Sequence, residues 1–436
     1  MVLTNPVVIS VVVMSVLCLC NLSIVLALLA AALTAGLSAG MGINDTMSTL
    51  IAGMGGNSET ALSYFLLGTF AAAIGRTGLA DIACKKISRL VKGRRFVLLY
   101  LITAISCMSQ NLIPVHIAFI PILIPPLLPL FNELRIDRRA AACALTFGLK
   151  APYITLPVGF GLIFQGIISS EMGRNGMEVA ACSVFRFTWI IGLGMAAGLL
   201  AALHLSYAKP RSYENLPVMG ASHDESCEEK FETKHALAFI AVLAAFGVQL
   251  ASASLPLGAL AALSVMIATR TLKWKDVDGA FMDGLRIMGL IAFVMLIAAG
   301  YGNVLRETRS VDALVSSVVG LVGGSRFWGA FFMLTVGLLV TLGIGTSFGT
   351  IPVIAAIYCP LSAQLGFSAG ATVCLIAAAA ALGDAGSPAS DSTLGPTSGL
   401  NADGQHSHIW DTCVPTFLHY NIPIFVAAMI GALLIY

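Results

Sequence analysis

The sequence predicts an all-α polytopic membrane protein built as two inverted repeats, each holding one re-entrant hairpin and one broken helix. Three observations predict it. Of the 436 residues 58% are apolar and only 11% are charged, whereas soluble domains carry about a quarter charged residues. Apolar runs are interrupted at membrane depth by prolines, glycines and carboxylates, most densely in AAAAALGDAGSPASDSTLGPTSGL, Ala377 to Leu400. Stretches of the second half can be laid on stretches of the first, and the matched loops differ in basic charge.

The interrupted run sets the chemistry. In hydrocarbon every backbone N–H and C=O needs a partner, so a helix opened by Gly383, Pro388 and Pro396 is tolerated only against protein or a watery cavity. Carboxylates at such a depth are costly and mark ion or substrate pathways. Asp384 and Asp391, with the hydroxyls of Ser387, Thr393 and their neighbours, form a hard-oxygen set suited to Na+. These two aspartates are the predicted Na+ ligands, and Na+ or H+ is the only inorganic component expected. In a competing reading, one aspartate simply pairs with Lys150 as a structural ion pair. Lys150 itself would anchor a solute carboxylate, replace a second Na+ as a tethered cation, or snorkel from a helix end.

In chain order, Val7–Cys20 has no basic leader or cleavage site and reads as a retained span. Val7–Gly40 is long enough for two helices, breaking near Asn21 and Ser23. Gly42–Glu59 reads as a polar, glycine-rich loop holding Asp45 and Glu59 at a membrane edge, and Thr60–Gly75 as a third span. RTGLADIACKKISRLVKGRR, Arg76 to Arg95, carries seven Lys or Arg and one Asp, so it faces the cytoplasm. Phe96–Phe131 contains five prolines and the polar patch Ser109, Gln110 and Asn111. Prolines break a straight helix, so this is read as a hairpin with a polar tip. Ala140–Ser170 is broken at Gly148, Lys150, Pro152 and Pro157, and residues 178–207 form another span. Lys209–Lys234 is the one hydrophilic stretch long enough to link two halves. The predicted units are residues 1–207, a linker at 208–234, and residues 235–436.

Laying Thr77–Phe96 on Thr308–Phe327 matches Thr, Asp, Gly and Arg positions. Laying Ser109–Leu162 on Ser347–Leu400 aligns Ile113, Pro114 and Val115 with Ile351, Pro352 and Val353, and Gly148 with Gly386. Lys85, Lys86, Arg89, Lys92 and Arg94 fall opposite uncharged residues, as do Arg135, Arg138 and Arg139. Loops basic in one copy and neutral in the other lie on opposite sides of the membrane, which makes the repeat inverted and places a site at the interface of discontinuous helices. The second hairpin tip, Gly343–Thr350, offers Thr346, Ser347 and Thr350 with freed carbonyls to a cation and helix N-termini to a carboxylate. A glycine packing contact is the bland alternative.

Other classes find less support. A net charge of +2 with basic residues confined to loops argues against nucleic acid. The ten cysteines form no CxxC and read as buried hydrophobes in a reducing compartment. No phosphate-binding glycine loop supports ATP-driven transport. Ser387 or Ser390 has no His partner in the span for hydrolysis, so no enzyme is expected. His116 in the first hairpin reads as a core residue. His406, His408, Asp411 and His419 lack a fixed third ligand for a metal.

GDAGSPASDSTLGPTSGLNADGQHSHIWDTCVPTFLHYNIP and GTSFGTIPV in the second half, with NPVVISVVVMSVL and ETALSYFLLGTFAAAIGRTGLAD in the first, resemble the NhaC-like sodium/proton antiporter family and its amino-acid-transporter-like branch. The resemblance covers essentially the whole chain. It implies the ion transporter superfamily fold, often dimeric, with ion and substrate held by the second hairpin tip and the interrupted helix, here Thr346, Ser347, Thr350, Asp384 and Asp391. Phe348 stands where that tip often carries Trp, and members of the family exchange Na+ for H+ or take up amino acids or small carboxylates. The expectation is therefore an ion-coupled secondary transporter, multi-pass in the cell inner membrane and forming a homodimer. Its small-molecule substrate would be an amino acid such as histidine or a small carboxylate, with a dedicated Na+/H+ antiporter as the alternative.

Overall fold

Helix boundaries in the two halves of the chain recur at one spacing. The computed structural model describes residues 4–20, 22–78, 87, 91, 93–111, 119–158, 160–216, 233–252, 254–310, 313–314 and 324–436. All regular structure among them is helical. The first half contains α1 (Pro6–Leu19), α2 (Ile24–Ser38), α3 (Ile43–Met54), α4 (Ser58–Gly75), α5 (Arg95–Asn111), α6 (Phe119–Glu133), α7 (Arg138–Thr155), α8 (Phe160–Arg174) and α9 (Phe185–Ala201). The second contains α10 (Thr233–Ser252), α11 (Leu255–Ala268), α12 (Val277–Glu307), α13 (Arg326–Ile344), α14 (Ser347–Gln364), α15 (Ala369–Ala381) and α16 (Asp391–Leu400). A last continuous helix, α17, runs from His408 to Ile435 and alternates α and π turns.

Ile24 and Leu255, Arg95 and Arg326, Arg138 and Ala369, and Phe160 and Asp391 all open helices. Each pair is 231 positions apart (255 less 24, 326 less 95, 369 less 138, 391 less 160). The pairing of Thr77–Phe96 with Thr308–Phe327 has this spacing. The pairing of Ser109–Leu162 with Ser347–Leu400, spaced at 238, is corrected: it is seven residues out of register. A slip of seven is close to two helical turns and leaves every side chain on nearly the same face, so an apolar pattern tolerates it. In the corrected register Pro157 meets Pro388, Tyr153 meets Asp384, and Phe160 meets Asp391. The basic loops still fall on uncharged residues.

The two broken helices run antiparallel. Arg138, opening α7, donates to the Leu400 carbonyl that ends α16, so the beginning of one copy meets the end of the other. At the opposite end Ser368 caps α15 and also donates to the Tyr436 carbonyl (2.8 Å), while the Tyr436 hydroxyl donates to the Arg186 carbonyl beside the start of α9 (3.1 Å). Likewise α12 lies antiparallel to α3 and α4 along its length, from Arg76–Asp283 at one end to the Asn303 bond with the Thr49 carbonyl at the other.

Among the described residues, four helical stretches are each long and apolar enough to cross a bilayer: Ala181–Ser206, Met288–Glu307, Arg326–Ile344 and His408–Ile435. Arg138–Thr155 and Phe160–Arg174 together make a fifth, bent by 48°. The second hairpin turns at Gly345, whose positive φ of 77° caps α13, and α14 returns from Ser347. The first hairpin tip, with His116, lies outside the described residues.

Two expectations differ from the structure. Gly42–Glu59 is not a loop; α3 fills most of it, because the small residues Gly53 and Gly300 let α3 press against α12 at Asn303 and Leu50. Asp45 and Glu59 fall in the first turns of α3 and α4. Nor do Gly148, Lys150 and Pro152 break their helix. α7 continues to Thr155 and opens only from Leu156, with Gly148 serving as the close contact with Ser106 of α5.

Candidate functional site

The second broken helix is held open by its own sequence. α15 ends at Ala381, and residues 382–390 form turns before α16 begins at Asp391. Gly383 and Gly386 take positive φ values of 84° and 128°, which L side chains rarely adopt. The peptide groups exposed by the break find partners nearby. Asn421 of α17 accepts from Gly383 N–H (3.2 Å), Thr393 donates to the Ser387 carbonyl (2.5 Å), and His408 bonds to the Pro388 carbonyl through Nε2 (2.9 Å). Ser390 caps α16 by accepting from Ser392 N–H (3.1 Å).

This scaffold places Asp384 at the centre of a buried cluster. Its Oδ2 accepts from Lys150 Nζ, from the Ser347 hydroxyl and from Ser347 N–H (3.2 Å), while its Oδ1 accepts from the Ser390 hydroxyl. Lys150 also donates to the Tyr153 hydroxyl (3.2 Å), and that hydroxyl lies 3.0 Å from Ser347 Oγ. Asp391 Oδ1 stands 3.6 Å from the same ammonium. Lys150 is 5% exposed and Asp384 1%, so the charges are supported by pairing and hydrogen bonds rather than by water. Helix N-termini add positive field: Ser347 opens α14 and Asp391 opens α16.

Lys150, Ser347, Asp384 and Asp391 therefore converge, although α7, the hairpin tip and the broken helix are far apart in sequence. Thr350, Ser387 and Thr393 belong to the elements that form this cluster. Thr350 donates to the Thr346 carbonyl within the first turn of α14 (2.9 Å), and Ser387 Oγ accepts from Ala389 N–H inside the break (3.2 Å). Thr393 is committed to carbonyls of the break. Ser109, Gln110 and Asn111 end α5, and their side chains lie outside the described residues. His406 bonds through Nε2 to Thr412 (2.6 Å), and His408 through Nδ1 to Thr397 (2.8 Å).

Sequence reasoning missed Tyr153 and noted Ser390 only as one hydroxyl of the interrupted run. Tyr153 sits three residues after Lys150 on one helix, a spacing that shares a face. Ser390 directly precedes the aspartate opening α16, the position of an N-cap. Phe348 stacks on Tyr153 (centroids 5.5 Å, planes 30° apart) and meets Phe164 edge-on at 5.8 Å. These aromatic rings wall one side of the charged cluster.

A charged cluster enclosed between a hairpin tip and a broken helix, in an all-helical multi-pass chain, belongs to the class of membrane transporters. The profile of the Na+/H+ antiporter family matches residues 144–431, and that of a second Na+-H+ antiporter family matches residues 5–91. This chain belongs to the Na+/H+ antiporter family. It is 48% identical over 410 residues to a Bacillus subtilis protein bearing the name "Putative amino acid transporter YuiF", covering 91% of this chain and 92% of that one. It is 47% identical to a membrane protein of Vibrio parahaemolyticus, covering 99% and 100%, and 45% identical to a membrane protein of Haemophilus influenzae, covering 99% of each. Among solved structures, it matches Neisseria gonorrhoeae MtrF with TM-score 0.43 and 15% identity, covering 91% of this chain and 85% of that one. It matches the Alcanivorax borkumensis YdaH transporter with TM-score 0.44 and 13% identity, covering 89% and 87%.

Proposed function

We propose that the chain is an ion-coupled secondary transporter of a small solute, working in the cell inner membrane as two inverted repeats, residues 1–207 and 235–436, joined by the linker at 208–234. The observation that carries this reading is that one buried ammonium, Lys150, faces two carboxylates, Asp384 and Asp391. A proton or a Na+ ion makes that set formally neutral, so ion binding and the position of Lys150 are linked. Na+ arriving at Asp384 competes with Lys150 for the Oδ2 that the lysine occupies. Thr346, Ser347 and Thr350 at the second hairpin tip, with Ser109, Gln110 and Asn111 from the first half, are the further proposed ligands, and Ser387 and Thr393 hold the break in shape. An amino acid or small carboxylate shares the site, its carboxylate suited to the N-terminus of α14. The name carried by the Bacillus subtilis relative favours an amino acid.

A dedicated Na+/H+ antiporter is the second reading, favoured by the family's own description. Sealed proteoliposomes separate the two. Uptake of a labelled amino-acid and carboxylate panel under a Na+ or H+ gradient, saturable for one solute, supports the symporter. Proton movement on a Na+ pulse without uptake of any panel member establishes the antiporter and rules out the solute reading. The oligomer is proposed to be a dimer, which mass photometry in detergent reads directly.

A further inference from the structure

After α9 and its π turn ending at Ser206, the chain does not leave the molecule at once. Arg211–Asn215 is bonded both to the start of α7 and to the stretch that follows α16. Arg211 N–H donates to the Arg135 carbonyl (3.0 Å), and its guanidinium pairs with Asp411 at the start of α17 (2.9 Å). The Tyr213 hydroxyl accepts from Arg138 N–H (3.1 Å), and its ring stacks on the Arg138 guanidinium at 4.3 Å. Glu214 and Gln405 bond reciprocally: Glu214 N–H donates to Gln405 Oε1 (2.9 Å) and Gln405 Nε2 to the Glu214 carbonyl (2.7 Å).

Beneath this strap lies a fully buried ion pair. Arg138, fully buried, grips Asp403 with both terminal nitrogens at 2.6 Å and donates to the Leu400 carbonyl that ends α16 (2.9 Å). Bidentate pairs of this kind fix orientation as well as distance. α16 is the half-helix that starts at Asp391, so Arg138, covered by the strap, holds the far end of the element carrying one of the central carboxylates. The strap is also the first stretch of the linker between the two halves, and movement of one half against the other acts on it directly. We infer that Arg211–Asn215 is a latch: through Gln405 and Asp411 it pins the stretch after α16 to the start of α7 in the arrangement seen here, and the transport cycle requires its release. This rests on the transporter reading, because it assigns the latch to an alternating-access cycle.

The test joins Glu214→Cys to Gln405→Cys with a short, reducible bis-methanethiosulfonate linker in proteoliposomes. Ion movement after a Na+ pulse should fall at least tenfold in the linked protein and return on adding dithiothreitol, with Glu214→Cys alone unaffected. Unchanged flux in the linked protein overturns the latch. A second measurement holds even where no flux is seen in the unmodified protein. Ser398→Cys on α16 is labelled with N-ethylmaleimide and read by peptide mass. Labelling should speed up at least fivefold when Tyr213→Ala is added and slow when the 214–405 link is made; equal rates in all three states overturn the latch. Buried Cys359 on α14 should stay unlabelled throughout, showing that the fold persists.

Discussion

Lys150 and Asp384 define the residue scale. Removing either partner of a buried pair leaves a charge that the surroundings cannot solvate, at a cost of roughly 3–5 kcal/mol. Lys150→Met is therefore expected to lower the melting temperature in detergent by several degrees and to abolish ion coupling. Asp384→Asn combined with Lys150→Met should recover much of the lost stability but none of the coupling. A double variant no more stable than the singles would remove the ion pair from the account. Asp403 carries a different prediction. Burial pushes its carboxyl upward, but the Arg138 pair and the Gln405 bonds outweigh this and hold it below the usual carboxylate value. A depressed folded value stabilises the protein above the ordinary carboxylate range, and that stability is lost as pH falls through it. Thermal melts from pH 6 down to pH 3 should show a loss that Asp403→Asn does not share. Both aspartates of the site were legible in the sequence because carboxylates are rare in apolar runs. Tyr153 was not, because a tyrosine in a helix of this composition has many ordinary uses.

At the scale of the element, the break between α15 and α16 is what positions the candidate site. Gly386 adopts a φ of 128°, and a Cβ there would lie 2.6 Å from Cβ of Phe417. Gly386→Ala should therefore destabilise by roughly 2–3 kcal/mol from strain and overpacking together. Gly166→Ala, on α8 with open space around it, should cost nothing measurable by the same thermal melt. The second break was evident from Gly383, Pro388 and Asp391, since together they leave a helix no ladder. The first was only partly placed: of the four residues read as breaking it, Pro157 does and Gly148, Lys150 and Pro152 do not. Gly148 and Pro152 look like the same punctuation, yet proline removes only one bond and glycine can serve packing, so α7 survives both and opens at Pro157. The repeat register failed for a related reason: small and apolar residues two turns apart are nearly interchangeable on a helix face, and only the helix boundaries distinguish a spacing of 231 from 238.

For the whole molecule, charge and geometry agree on the antiparallel relation of the halves. The end bearing Arg76, Arg135, Arg138 and Arg211 is expected to face the cytoplasm, and the end bearing Gly366, Ser368 and Tyr436 the opposite side. In inside-out membrane vesicles a bulky maleimide should label Arg135→Cys and spare Gly366→Cys; the reverse pattern would invert the proposed orientation. The overall plan was readable because membrane burial imposes a few strong rules. The convergence of α7, the α13–α14 turn and the break on one carboxylate was not, because no local pattern records which helix ends meet.

The measurement that bears most directly on the central claim is ion-coupled flux in sealed proteoliposomes, comparing the unmodified protein with Asp391→Asn and Asp384→Asn at matched incorporation. The account predicts saturable flux, either proton movement on a Na+ pulse or gradient-driven uptake of one solute, lost at least a hundredfold in Asp384→Asn and strongly reduced in Asp391→Asn. Full flux in both variants would place the coupling site elsewhere and contradict the account.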